Sequence, residues 1–573
     1  MRKVIKILAK VLSVIILLLI FLPILVTLLL NLDSVQNYVV RHATEFASEK
    51  LGTRVAVDRI DLDLFSRVRV EGFYVEDLEG DTLLYVNRAS AALSSLNIAK
   101  EGLHLNDAKA SDVKFYLKEM QNGVINIKPI VAKLQNPNGK GNFRLYIDDI
   151  EANNVDFRYT RLVPRCPEYG VDYGDMRINI ADARIEDFSV VKGAVRGDIK
   201  HVSAVERSGV MIDDLNGQMY VDKGIIHLDD LHITTPNSQL HMPRMHINGV
   251  DWLQYKQYIP EVQMDMVVES SEISTDDIGY FAPALRKWGL VLDDVDVTFK
   301  GTVADFEVVL DDVAVGDNSS VSGTAHITGM PDWRGANYVV AVEDMHLTSN
   351  DARTILDAVL KRPMPAKALE IVDRVEWVDM RATFGGRWDS FRLAGNVYTP
   401  KGHVRTDVNL ANARGGRYRI NGDVNLFGVE LGEILNKAKL GKLSASVTTA
   451  GTIGDDASGG VIGDVNVKVD EFEFANYTYH DVTGVGTLDG RKFYGEVAST
   501  DPNLDFNMYA DVDVDEANPY YNISMMLHNA DLHALGINKR DEVSTLSASI
   551  GVELSGATLE ELNGYISIAD AEY

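Results

Sequence analysis

"DVNVKVDEFEF", Asp464–Phe474, is the stretch that decides the fold class. Val465, Val467 and Val469 alternate with polar residues, and after a one-residue slip Phe472 and Phe474 resume the pattern. A period of two sends apolar side chains to one face of a strand and polar ones to the other. The slip between Val469 and Phe472 predicts a bulge or bend. The same signature spreads outward to "RIDLDLF" (Ile60, Leu62, Leu64), "RVRV" (Val68, Val70), "DVDVTF" (Val295, Val297, Phe299) and "DVNL" (Val424, Leu426). Alternation on this scale predicts a mainly β chain with a long, twisted, mostly antiparallel sheet. Helical breaks are few, at 275–289, 350–360 and 430–439. They are too few to cover such a sheet. It must roll onto itself, stack on a second sheet, or face a ligand.

The breaks mark a repeat. "MVVESSEISTDDIGYF", "VVAVEDMHLTSNDARTIL", "RINGDVNLFGVELGEIL" and "NISMMLHNADLHALGI" share a layout. Each is followed by a strand pair, and two of these nearly coincide: "KLSASVTTAG" at Lys442 and "TLSASIGVEL" at Thr545. The period drifts from about 70 to about 100 residues, which is an irregular array and not a propeller of uniform blades. At about 11–12 residues per strand and turn, roughly 40 strands fit, or on the order of 190 Å of sheet. The second copy breaks off at "YISIADAEY", so the array is expected to continue past Tyr573.

The first residues read as a membrane anchor. Residues 11–30 form an apolar run, with Val11, Leu17, Phe21, Leu25 and Leu30 along it and Ser13, Pro23 and Thr27 interrupting. Twenty helical residues at ~1.5 Å each span about 30 Å, the hydrocarbon thickness. Arg2, Lys3, Lys6 and Lys10 precede the run and Asp33 follows it. The positive-inside rule then predicts a single-pass protein with a cytoplasmic N-terminus and everything after Asn31 across the membrane. A cleaved signal peptide has a shorter apolar stretch and a small-residue cleavage site, and "LLLNLDSVQ" offers none. "DSVQNYVVRHATEFASEKLG" reads as an amphipathic helix with Val35, Val39, Ala43, Phe46 and Ala47 on one face and Gly52 ending it. The expected segments are 1–31 (stub and anchor), 32–52 (helix), 53–135 (first β module), 136–265, 266–418 (repeats with short helices), 419–521 and 522–573 (an incomplete repeat).

Composition narrows the function. The 573 residues carry a formal charge of −28, which disfavours a nucleic-acid partner. Cys166 is the only cysteine, so neither an internal disulfide nor a Cys-based zinc site is available. No catalytic site, cofactor site or metal site is expected. His227, His232, His241 and His246 cluster in "GIIHLDDLHITTPNSQLHMPRMHING", but the odd spacings 227/232 and 241/246 predict opposite faces on each strand. The paired acids Asp148–Asp149, Asp213–Asp214, Asp229–Asp230, Asp276–Asp277, Asp293–Asp294 and Asp311–Asp312 read mostly as strand starts or turns, and adjacent strand residues point to opposite faces, so they are not expected to be acid–base pairs. No nucleophile elbow, phosphate loop, zincin helix or EF-hand loop is present, and "GVGTLDG" at Gly484 has the wrong spacing for a dinucleotide fingerprint.

"SVQNYVVRHATEFASEKLGTRVAVDRIDLDLF", "EGFYVED", "GDTLLYVNRASAALS", "LHLNDAKASD" and "QNGVINIKPIVAKL", in that order, resemble the N-terminal module of the AsmA-like superfamily, closest to its TamB-like branch. The resemblance is good over about the first 135 residues and looser beyond. It implies a long open β-groove (a β-taco, or repeating β-groove) with an apolar interior. It further implies a lipid carrier between inner and outer membranes that serves outer-membrane biogenesis. TamB-like members pair with a BamA-type barrel through a C-terminal domain that has no counterpart before Tyr573. The expected groove lining is Ile60, Leu62, Leu64, Val68, Val70, Val295, Val297, Phe299, Val465, Val467 and Val469, in contact with phospholipid acyl chains. Two rival readings stay open: an assembly factor that templates outer-membrane strands, and a β-stalk whose apolar residues form an ordinary core.

Overall fold

The computed structural model describes residues 33–573, apart from 63–66, 95–101, 135–143, 164–168, 287, 317, 361–363, 414–416, 454–460, 516–517 and 558–561. The anchor, its topology charges, Leu64 and Cys166 lie outside the described residues. Among the described residues no helix is long and apolar enough to cross a membrane.

The helix Asp33–Leu51 forms as its sequence predicts. Gly52 ends it at φ 64°, where its N–H donates to the Ser48 carbonyl at 2.7 Å. The packed face differs from the expected one. Ala47 and Leu51 pack against the buried cluster of Val55, Val75, Leu83 and Ile130, whereas Phe46 is 69% exposed. Phe46 stands one position before Ala47, so a rotation of about 100° carries it off the face that Ala47 and Leu51 share.

The chain divides into two units, Met1–Thr302 and Val303–Tyr573. In the first, strands β1 (Val55–Ala56) and β2 (Arg59–Leu62) both pair with β3 (Arg67–Glu76). The ladder then runs through β4 (Thr82–Leu93), β5 (Leu103–Lys118), β6 (Arg144–Thr160), β7 (Asp175–Val191) and β8 (Ala194–Glu206). Strands β9 (Met211–Ile212) and β10 (Asp214–Asp222) share the far edge of β8. The ladder continues through β11 (Ile225–Thr234), β12 (Gln239–Asn248), β13 (Gln263–Ser274) and β14 (Val291–Gly301). Among the described residues every strand pair named above is antiparallel except β5–β6, whose crossover carries the helix Ile127–Leu134.

The second unit is an antiparallel meander from β15 (Asp305–Val315) to β29 (Asn563–Glu572), each strand pairing with the next. Short helices interrupt it at Ser349–Leu360, Ala366–Val375 and Leu431–Leu435. Among the described residues no ladder closes either unit into a barrel. The 29 described strands are fewer than the roughly 40 expected because many are long, up to 17 residues.

The slip in "DVNVKVDEFEF" is a β-bulge. On β23 (Val461–Phe474), Val469 faces Ala445 and Glu471 faces Ser444 of the preceding strand, leaving Asp470 as the extra residue. Related irregularities recur with an unusual backbone. Asp112, Asn154, Asp187, Asp230, Asp294, Asp312 and Asp481 all sit inside strands at φ between 47° and 55°. Aspartate and asparagine tolerate this left-handed region better than most residues do. The paired acids are therefore not all strand starts or turns. Asp230, Asp294 and Asp312 are left-handed residues within strands, and Asp148–Asp149 lies inside β6. Asp213–Asp214 does mark the start of β10, and Asp276–Asp277 a short helix.

This backbone gives a direct expectation. Asp481, at φ 48° and exposed, is replaceable by glycine without loss, whereas Asp481→Val costs about 1–2 kcal/mol. Chemical denaturation of the two variants measures it. Equal destabilisation by both would show that the carboxylate, not the backbone angle, matters there.

Candidate functional site: an uncharged sheet face

Residues opposite each other across a ladder share a face, so the register can be followed from strand to strand. Starting at Val467, one row crosses every strand of the second unit. It comprises Leu310, Gly323, Val342, Ala382, Gly395, Thr406, Val424, Val447, Val467, Gly484, Val497, Met508, Met525, Ile550 and Ile568. None of them is charged. The row through Val465 runs from Val308 to Ile566, also without a charge. The row through Val469 runs from Val313 to Ala548, with Ser499 its one hydroxyl. Ala445 of "KLSAS" and Ala548 of "TLSAS" both stand in this third row, so the two near-identical stretches occupy equivalent places on the sheet.

The opposite face carries the charge. Arg392 donates to both carboxylate oxygens of Asp407 (2.8 and 2.6 Å), Arg381 pairs with Asp344 and Lys468 with Asp470. Burial follows the same alternation, since Val465, Val467 and Val469 are half-buried between exposed Asp464, Asn466, Lys468 and Asp470. Side chains in a packed sandwich core are mostly buried outright; here nearly the whole row through Val467 keeps partial exposure. Fully buried apolar clusters do occur, for example under the helix Asp33–Leu51 and around Leu527, Ala530 and Leu535 at the C-terminal end of β27 (Tyr520–Asp531).

In the first unit Ile60 and Val70 share a row with Ala89, Ala110, Ala152, Ala183 and Val202. Leu62 lies opposite Val68, whose row continues through Ala91, Ala108, Ile150, Ile185 and Ile199. Phe299 heads a row of Met266, Met245, Leu228 and Met219, and Val297 faces Val268. Val295 differs from the other expected lining residues. It is 3% exposed and opposite Ser271, which is 1% exposed, so it is interior packing and not accessible surface. The three methionines were missed in the sequence. Their signal was present in "GQMYVD" (Met219), "LHMPRMHING" (Met245) and "VQMDMVVES" (Met266), where Met and other apolar residues alternate locally with polar ones.

The histidine cluster also departs from its sequence reading. Asp230 is left-handed at φ 49°, which resets the alternation along β11. In the register His227 faces His246 and His232 faces His241, and each pair stacks, with ring centroids 3.8 and 4.4 Å apart. The odd spacing does not separate the two pairs onto opposite faces, because one extra residue lies between them.

Two buried carboxylates organise strand ends. Asp77, 1% exposed, accepts from the Glu79 and Asp81 N–H groups (2.9 and 3.0 Å) and from Asn126 Nδ2 (3.1 Å), and it pairs with Lys118 Nζ (3.1 Å). Burial pushes its carboxyl up, but the hydrogen bonds outweigh burial and hold it below the usual carboxylate range. Asp501, also 1% exposed, accepts from Tyr477 Oη at 2.5 Å and from the His480 and Asn503 N–H groups, both at 2.8 Å. Burial, and then the bond to Asp501, push the Tyr477 hydroxyl up to about 12. The partners of both carboxylates are backbone N–H groups and side chains gathered at strand ends.

No family model, curated protein or solved structure matches this chain.

Proposed function

We propose that the uncharged face is the floor of an open groove that carries phospholipid acyl chains, in a membrane-anchored periplasmic bridge directed toward the outer membrane. The observation that carries this reading is the unbroken row through Val467. Fifteen strands at ~4.8 Å spacing give about 67 Å of continuous uncharged surface in one unit. An acyl chain gains about 0.8 kcal/mol for each CH2 it removes from water. A uniform row offers that gain at every step without a tight site, so a chain moves along a shallow profile. Strand bulges bend a sheet, and their recurrence supports a rolled trough over a flat sheet. The methionines on β10, β12 and β13 suit cargo of varied chain shape, because the thioether side chain is flexible and polarisable. The apolar run at 11–30 and its preceding cations support an inner-membrane anchor. The protein on this reading is not an enzyme and needs no cofactor, and any BamA-type barrel partner engages a region outside these residues.

Photocrosslinking in cells tests the proposal. Probes at Val70, Val297 and Val467 are expected to yield phospholipid adducts, whereas Arg69 and Asp296, on the other face, yield none. No adduct at any apolar position in folded protein would sink the conduit and favour the β-stalk. Adducts to outer-membrane proteins along strand edges would favour the assembly-factor reading.

A further inference from the structure

We infer that Asp230, His232 and His241 form a zinc site on the polar face of the first unit. The proposal does not depend on the lipid reading, because the site lies on the opposite side of the sheet from the uncharged rows.

The geometry separates this cluster from the other histidine–aspartate contacts. His104–Asp148, His201–Asp214, His246–Asp229, His326–Asp305 and His346–Asp379 all close to between 2.5 and 2.7 Å, as charge-assisted hydrogen bonds do. Asp230 Oδ1 instead stands 3.4 Å from His232 Nε2 and 3.3 Å from His241 Nε2. Ligands ~2.0–2.1 Å from a tetrahedral zinc ion lie about 3.3 Å from one another. Two edges of such a tetrahedron are therefore already in place, and all three ligand atoms lie within 4.8 Å of one another.

The backbone explains how a strand assembles this set. His232 and His241 are cross-strand partners whose rings stack 6° from parallel; an Nε2 lone pair lies in its ring plane, so zinc binding turns the two rings out of the stack toward a common point. The left-handed turn at Asp230 brings its carboxylate to both ring nitrogens. On the next strand Glu269 lies directly opposite His241, but its carboxylate is not among the three clustered ligand atoms, so water is the fourth ligand unless the Glu269 side chain swings in. Two imidazoles and a carboxylate suit zinc better than magnesium or calcium, which take oxygen ligands. Bound zinc would tie β11 to β12 at the bulge.

Zinc titration of the purified full chain in detergent, in competition with a fluorescent chelator, tests the assignment. One zinc per chain is expected. His241→Gln and Asp230→Asn should each weaken it about tenfold or more, while His246→Gln, in the neighbouring stacked pair, leaves it unchanged. Asparagine keeps the left-handed backbone, so Asp230→Asn separates ligand loss from misfolding. Cobalt substituted for zinc should show the intense visible bands of a tetrahedral site. Absence of zinc binding by the unaltered chain would overturn the proposal. So would equal weakening by His246→Gln, which would indicate diffuse association with a histidine-rich surface.

Discussion

Val467→Asp is expected to abolish phospholipid adducts at Val447 and Val497 while leaving the protein folded. Val467 sits mid-row, with Val447 on one side and Gly484 then Val497 on the other. A carboxylate there must keep its water or lose it to the passing acyl chain. Burying an unpaired charge costs several kcal/mol, and about 3 kcal/mol already lowers occupancy more than a hundredfold. The folded state loses far less, on the order of 1 kcal/mol, because the Val467 side chain is only half-buried. Asn466→Asp, one residue away on the wet face, should change nothing. Lipid adducts that persist in Val467→Asp would show that acyl chains do not pass this strand.

The second large effect is at Asp77. Asp77→Ala leaves two backbone N–H groups and one Asn126 Nδ2 hydrogen without their acceptor, while Lys118 keeps Glu79 and Asp81, and should destabilise the N-terminal module by about 2–4 kcal/mol. The sign of the pH dependence follows from the same bonds. The folded carboxyl is held below its unfolded value, so its stabilisation is complete above the usual carboxylate range. That stabilisation is lost as pH falls through the depressed folded value. Acid titration of thermal stability should therefore show a step in the unaltered protein that Asp77→Ala lacks. Identical acid profiles would mean that other carboxylates govern acid unfolding of this module.

The face preference of most strands was legible because alternation is local: Val465, Val467 and Val469 declare it without reference to any partner. The bulge beside Asp470 was legible for the same reason, since the slip falls within one apolar run. The left-handed residues were not. Nothing in "LDDLH" says that Asp230 turns while Asp229 does not; the difference lies in the pairing with β10, where Gln218 faces Asp229 but Asn216 faces His232, so β11 advances one residue more than its partner. That one angle decided whether the histidines share a face. Phe46 failed in the opposite way. Its periodicity admitted two neighbouring faces, and the choice came from where Val55, Val75 and Ile130 gather. The helix Ala366–Val375 went unread because it follows Pro365 so closely upon another helix. Val295 shows that alternation tells inside from outside but not an accessible wall from a covered one.

The parallel ladder between β5 and β6 carries a consequence for how the chain acquires its structure. In a meander each strand finds its partner just upstream, so the entropy of loop closure is small and the strands can zip in order as they emerge. Leu103 and Leu145 are partners across a far longer stretch of chain, and the helix Ile127–Leu134 must be laid down between them. This ladder is expected to be the slow step in the first unit, with the amides of β5 and β6 gaining protection last in pulse-labelled hydrogen exchange. The second unit has no parallel ladder among its described strands, but Asn337–Thr348 and Trp377–Arg387 pair only after the helices Ser349–Leu360 and Ala366–Val375 are laid down, so its ordering should pause there too. A chain stalled during synthesis would then hold finished hairpins everywhere except at these two joins.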